Sequence, residues 1–236
     1  MEKNKIAFLM AGGNAVRWNG ISKQKICING EMLIDRLIRQ VKPFVNQIYI
    51  IGWDISLNRE GCIFINTKKP TESFNHTLYL TLDKWKDINY IFATGTYYTD
   101  DFIKKVFENE NFNFYGYYTI PPKYYFPNQE RSAICIPIHF KDMVENGIIS
   151  CIEEWNNYES YICQEMTGFY MVDYAKYVYR WMNKSGVKGF ISWKILKPFI
   201  NKTHRFIEIN DRTSEFDTPK EFENWINNRP KYYGME

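Results

Sequence analysis

Residues 6–10, Ile-Ala-Phe-Leu-Met, form an unbroken apolar run that ends on Ala11-Gly12-Gly13. Such a run reads as a buried strand. The two glycines at its end permit backbone conformations and close approaches that a Cβ would block, so the amides that follow can point at an anion. Leu33, Ile34, Leu37, Ile38 and Val41 then recur with helical period and stop before Pro43. "QIYIIG" (47–52) and "CIFIN" (62–66) read as a second and a third strand. Strand, helix, strand, strand opens a mostly parallel sheet flanked by helices, an α/β fold in which ligands bind beyond the carboxyl ends of the strands. The glycine turn lies at such an end.

Further along, "HTLYLTLDKW" has loose helical spacing behind the polar lead-in "PTESFN", "INYIFATGT" reads as a fourth strand, and "DDFIKKVFENE" as a helix with Thr99 as its N-cap. The stretch "FYGYYTIPPKYYFPNQERSAICIPIHF" predicts short strands in a hairpin-like, small mixed insertion over the sheet. "FKDMVENG", "CIEEWNNY", "YAKYVYRWMNKSG" and "FISWKILKPFINK" look helical, "HRFIEIND" is a late strand and "TPKEFENWINN" a final helix. Without repeat, low-complexity run or linker, residues 1–236 read as one domain.

Composition removes several classes of function. The net charge is +3 with Lys and Arg spread along 236 residues, so no basic stripe points to nucleic acid. The five cysteines (27, 62, 135, 151 and 163) form no CxxC pair and join no His at zinc spacing, which reads as reduced thiols of a cytoplasmic protein. Five apolar residues before the glycines are too few for a signal peptide, and no stretch reaches membrane-spanning length. His76, His139 and His204 show no mutual spacing for metal binding or nucleophilic catalysis, and the clustered aromatics, 18% of the chain, read as core and surface usage.

The continuation of the glycine turn is more specific. "LMAGGNAVRWNGISKQKICINGEMLIDRLI" resembles the N-terminal signature of the nucleotidyltransferases with a GT-A-like, Rossmann-like fold: the sugar-phosphate, phosphocholine and molybdenum-cofactor nucleotidyltransferases. Arg17, Lys23, Gly30 and Leu33-Ile34 fall at the matching places, whereas neither a Walker loop nor a dinucleotide fingerprint fits. The resemblance implies that Ala11, Gly12, Gly13 and Asn14 cradle the phosphates of an NTP. It also makes Arg17 and Lys23 the catalytic cations on the departing pyrophosphate, with Lys25 as a further nucleotide-side cation. Ala15 stands where most members have a third Gly, a replacement the loop tolerates at negative φ.

Two later patches resemble the phosphocholine cytidylyltransferase branch. In "SFNHTLYLTLDKW" Asn75 and Thr77 would lie near the nucleobase or cap the helix, and in "TGTYYTDDF" Thr94 and Gly95 lie at the strand end, with Gly95 where the family has its metal-binding aspartate. Asp100 and Asp101 read as acids favoured by a helix N-terminus, the alternatives being substitutes for that carboxylate or the acidic metal motif of a GT-A glycosyltransferase. "EINDRTSEFDTPKEFENW" resembles the family's late "IDTPEDL" segment and makes Asp217 the expected Mg²⁺ ligand, with Asp211 or Glu215 as substitutes. "QEMTGFY" resembles a strand beside the acceptor phosphate, which puts Thr167 and Gly168 on the acceptor side.

Together these imply a nucleotide-binding half at 1–110 and an acceptor-side half at 111–236. The implied activity is a Mg²⁺-assisted nucleotidyltransferase that joins an NTP, CTP or UTP first, to a phosphorylated small molecule such as a sugar phosphate or a phosphocholine-like acceptor, and releases pyrophosphate. The alternatives are a nucleotide- or sugar-nucleotide-binding homologue without transferase activity, and a GT-A glycosyltransferase. The expected partners are the NTP and its acceptor, with neither nucleic acid nor membrane, and a homodimer is the assembly to test.

Overall fold

A computed structural model of the chain describes residues 3–72, 74–108, 113–118, 133–137, 160–164, 167–170, 204–208, 214–216 and 218–227. The apolar run becomes strand β1 (Lys5–Ala11), buried from Ile6 onward. It is flanked by two parallel neighbours, β4 (Gln47–Gly52) in register Ile6↔Gln47 to Ala11↔Gly52 and β6 (Ile88–Ala93) in register Lys5↔Ile88 to Met10↔Ala93. β5 (Ile63–Asn66) adds in parallel to β4, and β11 (Thr167–Tyr170) adds antiparallel to β6, giving the order β11-β6-β1-β4-β5. Parallel pairing sends Ala11, Gly52, Asn66 and Ala93 to one edge of the sheet, where the candidate site is built.

Both faces of β1 are covered, as its unbroken apolarity requires. Ala7 and Leu9 join one core with Ile34, Leu37 and Val41 of α1 (Leu33–Val41) and Phe102, Ile103, Val106 and Phe107 of α3 (Asp100–Phe107). On the opposite face Phe8 stacks on Tyr49 and Trp85 at ring separations of 5.3 and 6.3 Å. Each such large side chain contributes about 1.5–3 kcal/mol on burial. The helix α1 keeps the expected limits, and Thr99 caps α3 by accepting from Phe102 N at 3.1 Å.

The loosely periodic segment forms only a six-residue helix, α2 (Phe74–Tyr79), followed by a 3-10 turn at Leu82–Lys84. The Thr81 hydroxyl donates to Leu78 O at 2.7 Å and accepts from Trp85 Nε1 at 3.0 Å, a local bond that competes with helix continuation. Short strands β2 (Cys27–Ile28) and β3 (Glu31–Met32) pair around Asn29-Gly30, both with positive φ.

A second, mixed sheet has the order β12-β8-β10-β9, from β8 (Asn113–Tyr118), β9 (Ala133–Pro137), β10 (Ser160–Gln164) and β12 (His204–Glu208). The hairpin expected over the "FYGYY" and "AICIP" strands is not formed. β10, which the sequence reading missed, lies between β8 and β9 and pairs antiparallel with both. The four helices expected between 140 and 202 lie outside the described residues. β13 (Ser214–Glu215) pairs with β7 (Thr96–Tyr97), and the final helix α4 (Pro219–Ile226) follows. Among the described residues no helix is long and apolar enough to cross a membrane.

Candidate functional site

The glycine turn is held by its carbonyls. Gly12 O accepts from Thr71 N at 2.9 Å, Gly13 O accepts from Trp53 Nε1 at 3.0 Å, and Ala15 O accepts from Trp18 N and Gly20 N at 2.9 and 3.2 Å. In a planar trans peptide the carbonyl of one residue and the N–H of the next point in opposite directions. Anchoring Gly12 O on Thr71 and Gly13 O on Trp53 therefore turns the amides of Gly13 and Asn14 away from those partners. Both residues are exposed, and a Cβ at Gly13 would meet nothing within 4 Å. Two successive amides so turned beyond a parallel strand are an arrangement suited to an anion.

Neither glycine has positive φ. Gly12 is required for another reason: a Cβ there would lie 2.5 Å from both the Thr71 and Thr77 Oγ1 atoms, which hydrogen-bond each other at 2.6 Å. Thr77 is buried, and its described bond packs against the loop rather than capping α2. Ala15 contradicts the expectation of negative φ. It adopts φ 52 and ψ 31, the left-handed region, and starts the 3-10 turn Val16–Trp18 that carries Arg17.

Lys23 opens the next 3-10 turn, Lys23–Lys25, which is fixed by a relay from Ser22 to the sheet. Ser22 Oγ donates to Gln24 Oε1 (2.5 Å), Gln24 Nε2 donates to Thr94 Oγ1 (2.9 Å), and Thr94 Oγ1 donates to Met10 O (2.8 Å). Gln24 is only 8% exposed and Thr94 1%, so the Thr94 hydroxyl acts within the protein, tying the ends of β1 and β6 to the lysine turn. Lys25 Nζ pairs with Asp54 Oδ2 at 2.7 Å. Hydrogen bonds from Lys25 and Ser56 hold the Asp54 carboxyl below its ordinary range.

The relay lays the Lys23 side chain across Gly95. A Cβ at that position would fall 2.8 Å from Lys23 Cε and 3.1 Å from Nζ. The strand-end place of the expected metal-binding carboxylate thus holds a glycine covered by an ammonium. Among the described residues no group of three or more His, Cys, Asp or Glu gathers to hold a metal. Asp217 lies outside the described residues, as do Asp211 and the side chains of Arg17 and Asn75. The backbone of Asn75 lies in α2, and Glu215 pairs with Thr96. Asp100, in the first turn of α3, accepts from Gln40 Nε2 at 2.6 Å and lies 3.6 Å from Arg36 Nη2.

Thr167 and Gly168 pair with Phe92 and Ile91, which puts Thr167 near the carboxyl end of β6 on the site's edge of the sheet. The turn bearing Arg17 is anchored from the far end of the chain. Trp18 is 7% exposed, donates from Nε1 to Phe216 O at 3.2 Å, and packs with Ile26, Leu33, Phe216 and Trp225. Sequence reasoning missed Gln24, Trp53, Asp54 and Thr71. No local pattern marks them, because the bonds that tie them to the site reach across 29 to 70 positions.

No family model and no curated protein sequence matches the chain. Solved structures do. CTP:phosphocholine cytidylyltransferase from Streptococcus pneumoniae superposes with a TM-score of 0.63 at 15% identity, covering 94% of this chain and 97% of its own. Inositol-1-phosphate CTP transferase from T. maritima gives 0.65 at 12% identity, covering 93% and 91%. UTP-bound UGPase from Acinetobacter baumannii gives 0.64 at 9% identity, covering 96% and 93%. With its strand order, its glycine turn at the sheet's carboxyl edge and these likenesses over nearly the whole chain, the protein has the GT-A-like fold of the nucleotidyltransferases.

Proposed function

We propose that the protein is a nucleotidyltransferase that joins an NTP to a phosphorylated small molecule and releases pyrophosphate. The observation that carries the reading is the pair of exposed residues Gly13 and Asn14 just beyond β1, together with the Lys23 side chain laid across Gly95 just beyond β6, both at the carboxyl edge of the sheet. An acceptor phosphate oxygen attacks the α-phosphorus, the bond to the β-phosphate oxygen breaks, and the electron pair leaves with pyrophosphate. Catalysis of such a step is mainly positioning and charge stabilisation. The amides hold the phosphates, and Lys23 with Arg17 takes the charge that grows on the leaving group. Thr167 and Gly168 line the acceptor side. No step is assigned to Mg²⁺. Its proposed ligand is Asp217, and it would add charge neutralisation when bound. CTP, then UTP, is the nucleotide class to test first, since two of the structural neighbours above are named for CTP and a third holds UTP.

A second reading, a nucleotide-binding homologue without transfer, is favoured by Gly95 in place of a carboxylate. Incubation with each NTP, with and without Mg²⁺, and a panel of phosphorylated sugars and amino alcohols separates the two by pyrophosphate release. Release that Lys23→Ala lowers by about 100-fold, in line with removal of one preorganised charge-stabilising group, supports the transferase. Stoichiometric NTP binding with no pyrophosphate from any acceptor supports the binding protein.

A further inference from the structure

The exit of β4, Gly52-Trp53-Asp54, touches both halves of the candidate site. Gly52 brings this segment against the end of β1, where a Cβ would lie 2.9 Å from Ala11 O. Trp53 then reaches the glycine turn and donates from Nε1 to Gly13 O at 3.0 Å. Asp54 reaches the lysine turn, with Oδ2 2.7 Å from Lys25 Nζ. Its other oxygen accepts from Ser56 N at 3.1 Å and Ser56 Oγ at 2.6 Å, so the carboxylate is itself oriented. Two consecutive residues thus grip the Gly13–Asn14 peptide and the turn that carries Lys23.

We propose that Trp53 and Asp54 are positioning residues of the nucleotide site and that they act on the phosphates rather than on the base. The inference rests on the nucleotide reading above. The Trp53 bond fixes the Gly13–Asn14 peptide plane, and with it the direction of the Asn14 N–H. Asp54 fixes Lys25 and, through the three-residue turn, the backbone of Lys23. A group held in productive geometry loses little freedom when its ligand arrives, which is the source of the affinity. Since the groups positioned are an amide and an ammonium, the effect belongs to any ligand with linked phosphates.

The test is calorimetric titration of the full chain with CTP and, separately, with inorganic tripolyphosphate, for the wild type, Trp53→Phe and Asp54→Asn. Trp53→Phe keeps an aromatic ring and removes only the donor. Loss of one oriented hydrogen bond predicts affinity about 5- to 10-fold weaker for CTP and tripolyphosphate alike. Asp54→Asn predicts about a 5-fold loss, again equal for both ligands. Thermal midpoints stay within about 4 °C of the wild type. A purely structural role would lower the midpoint and leave the affinity of the folded protein unchanged. Unchanged affinity in either variant overturns the proposal, as does a loss confined to CTP, which would assign Trp53 to the base. A wild type that binds neither ligand overturns the nucleotide reading itself, and the positioning role with it.

Discussion

A Cβ at Gly12 would lie 2.5 Å from two hydroxyl oxygens, whereas one at Gly13 would meet nothing within 4 Å. The adjacent glycines therefore answer to different demands, one to packing and the other to approach by a ligand. Gly12→Ala is expected to destabilise the fold by about 2 kcal/mol, the usual cost of overpacking, and Gly13→Ala by under about 0.5 kcal/mol, as urea unfolding would report. Gly13→Ala should still weaken phosphate binding, because the new methyl stands where the ligand approaches. Ala15 holds a left-handed conformation at φ 52. Ala15→Gly should stabilise the protein by about 1 kcal/mol, read from the same unfolding curves.

The elements that shape the site are short turns pinned by distant groups, and the pins set their stability. Trp18→Phe leaves the carbonyl of Phe216 without its donor in a buried setting, which should cost about 1–2 kcal/mol. Nucleotide affinity should fall with it, because Trp18 also fixes the turn that bears Arg17; unfolding and titration on one preparation would check both. Acid acts on two of these devices. The Lys25 and Ser56 bonds hold Asp54, and the bidentate Arg39 bond holds Glu31, below their ordinary carboxyl ranges. A carboxyl whose folded pKa is depressed contributes stability that is complete above its unfolded pKa and is lost as pH falls through the folded value. Denaturation midpoints should therefore stay level from neutral pH down to the ordinary carboxylate range and decline below it. Asp54→Asn should flatten that decline, and Glu31→Gln, whose partner Arg39 is 54% exposed, should change it by no more than about 0.5 kcal/mol.

What the sequence made legible divides along the same line. β1, α1 and β4 carry their own periodicity and stop signals, and their limits are readable within a residue or two, whereas α3 starts where its Thr99 cap places it and ends three residues before the end of the stretch read as helix. α2 was read too long because Thr81, through its own hydroxyl, interrupts a pattern that apolar spacing alone continues. β10 escaped notice because its partners β8 and β9 are remote in sequence and no turn announces the pairing. At the site, the family-like spacing picked out Gly12, Gly13 and Lys23, which lie at one edge of the sheet. Their supports Gln24, Thr71, Trp53 and Asp54 were invisible, since each acts on a strand exit that only the folded sheet brings near.

At the scale of the molecule, a parallel sheet gathers the ends of β1, β4 and β6 at one edge, and the carbonyl anchors there turn the Gly13 and Asn14 amides away from Thr71 and Trp53. On the proposed function, this edge receives a triphosphate. The most direct measurement is a crystal structure after soaking with CTP. Phosphate oxygens are expected about 2.9 Å from the amides of Gly13 and Asn14, with the Lys23 ammonium also in hydrogen-bond range. A triphosphate bound elsewhere on the protein, with those amides facing solvent, would contradict it.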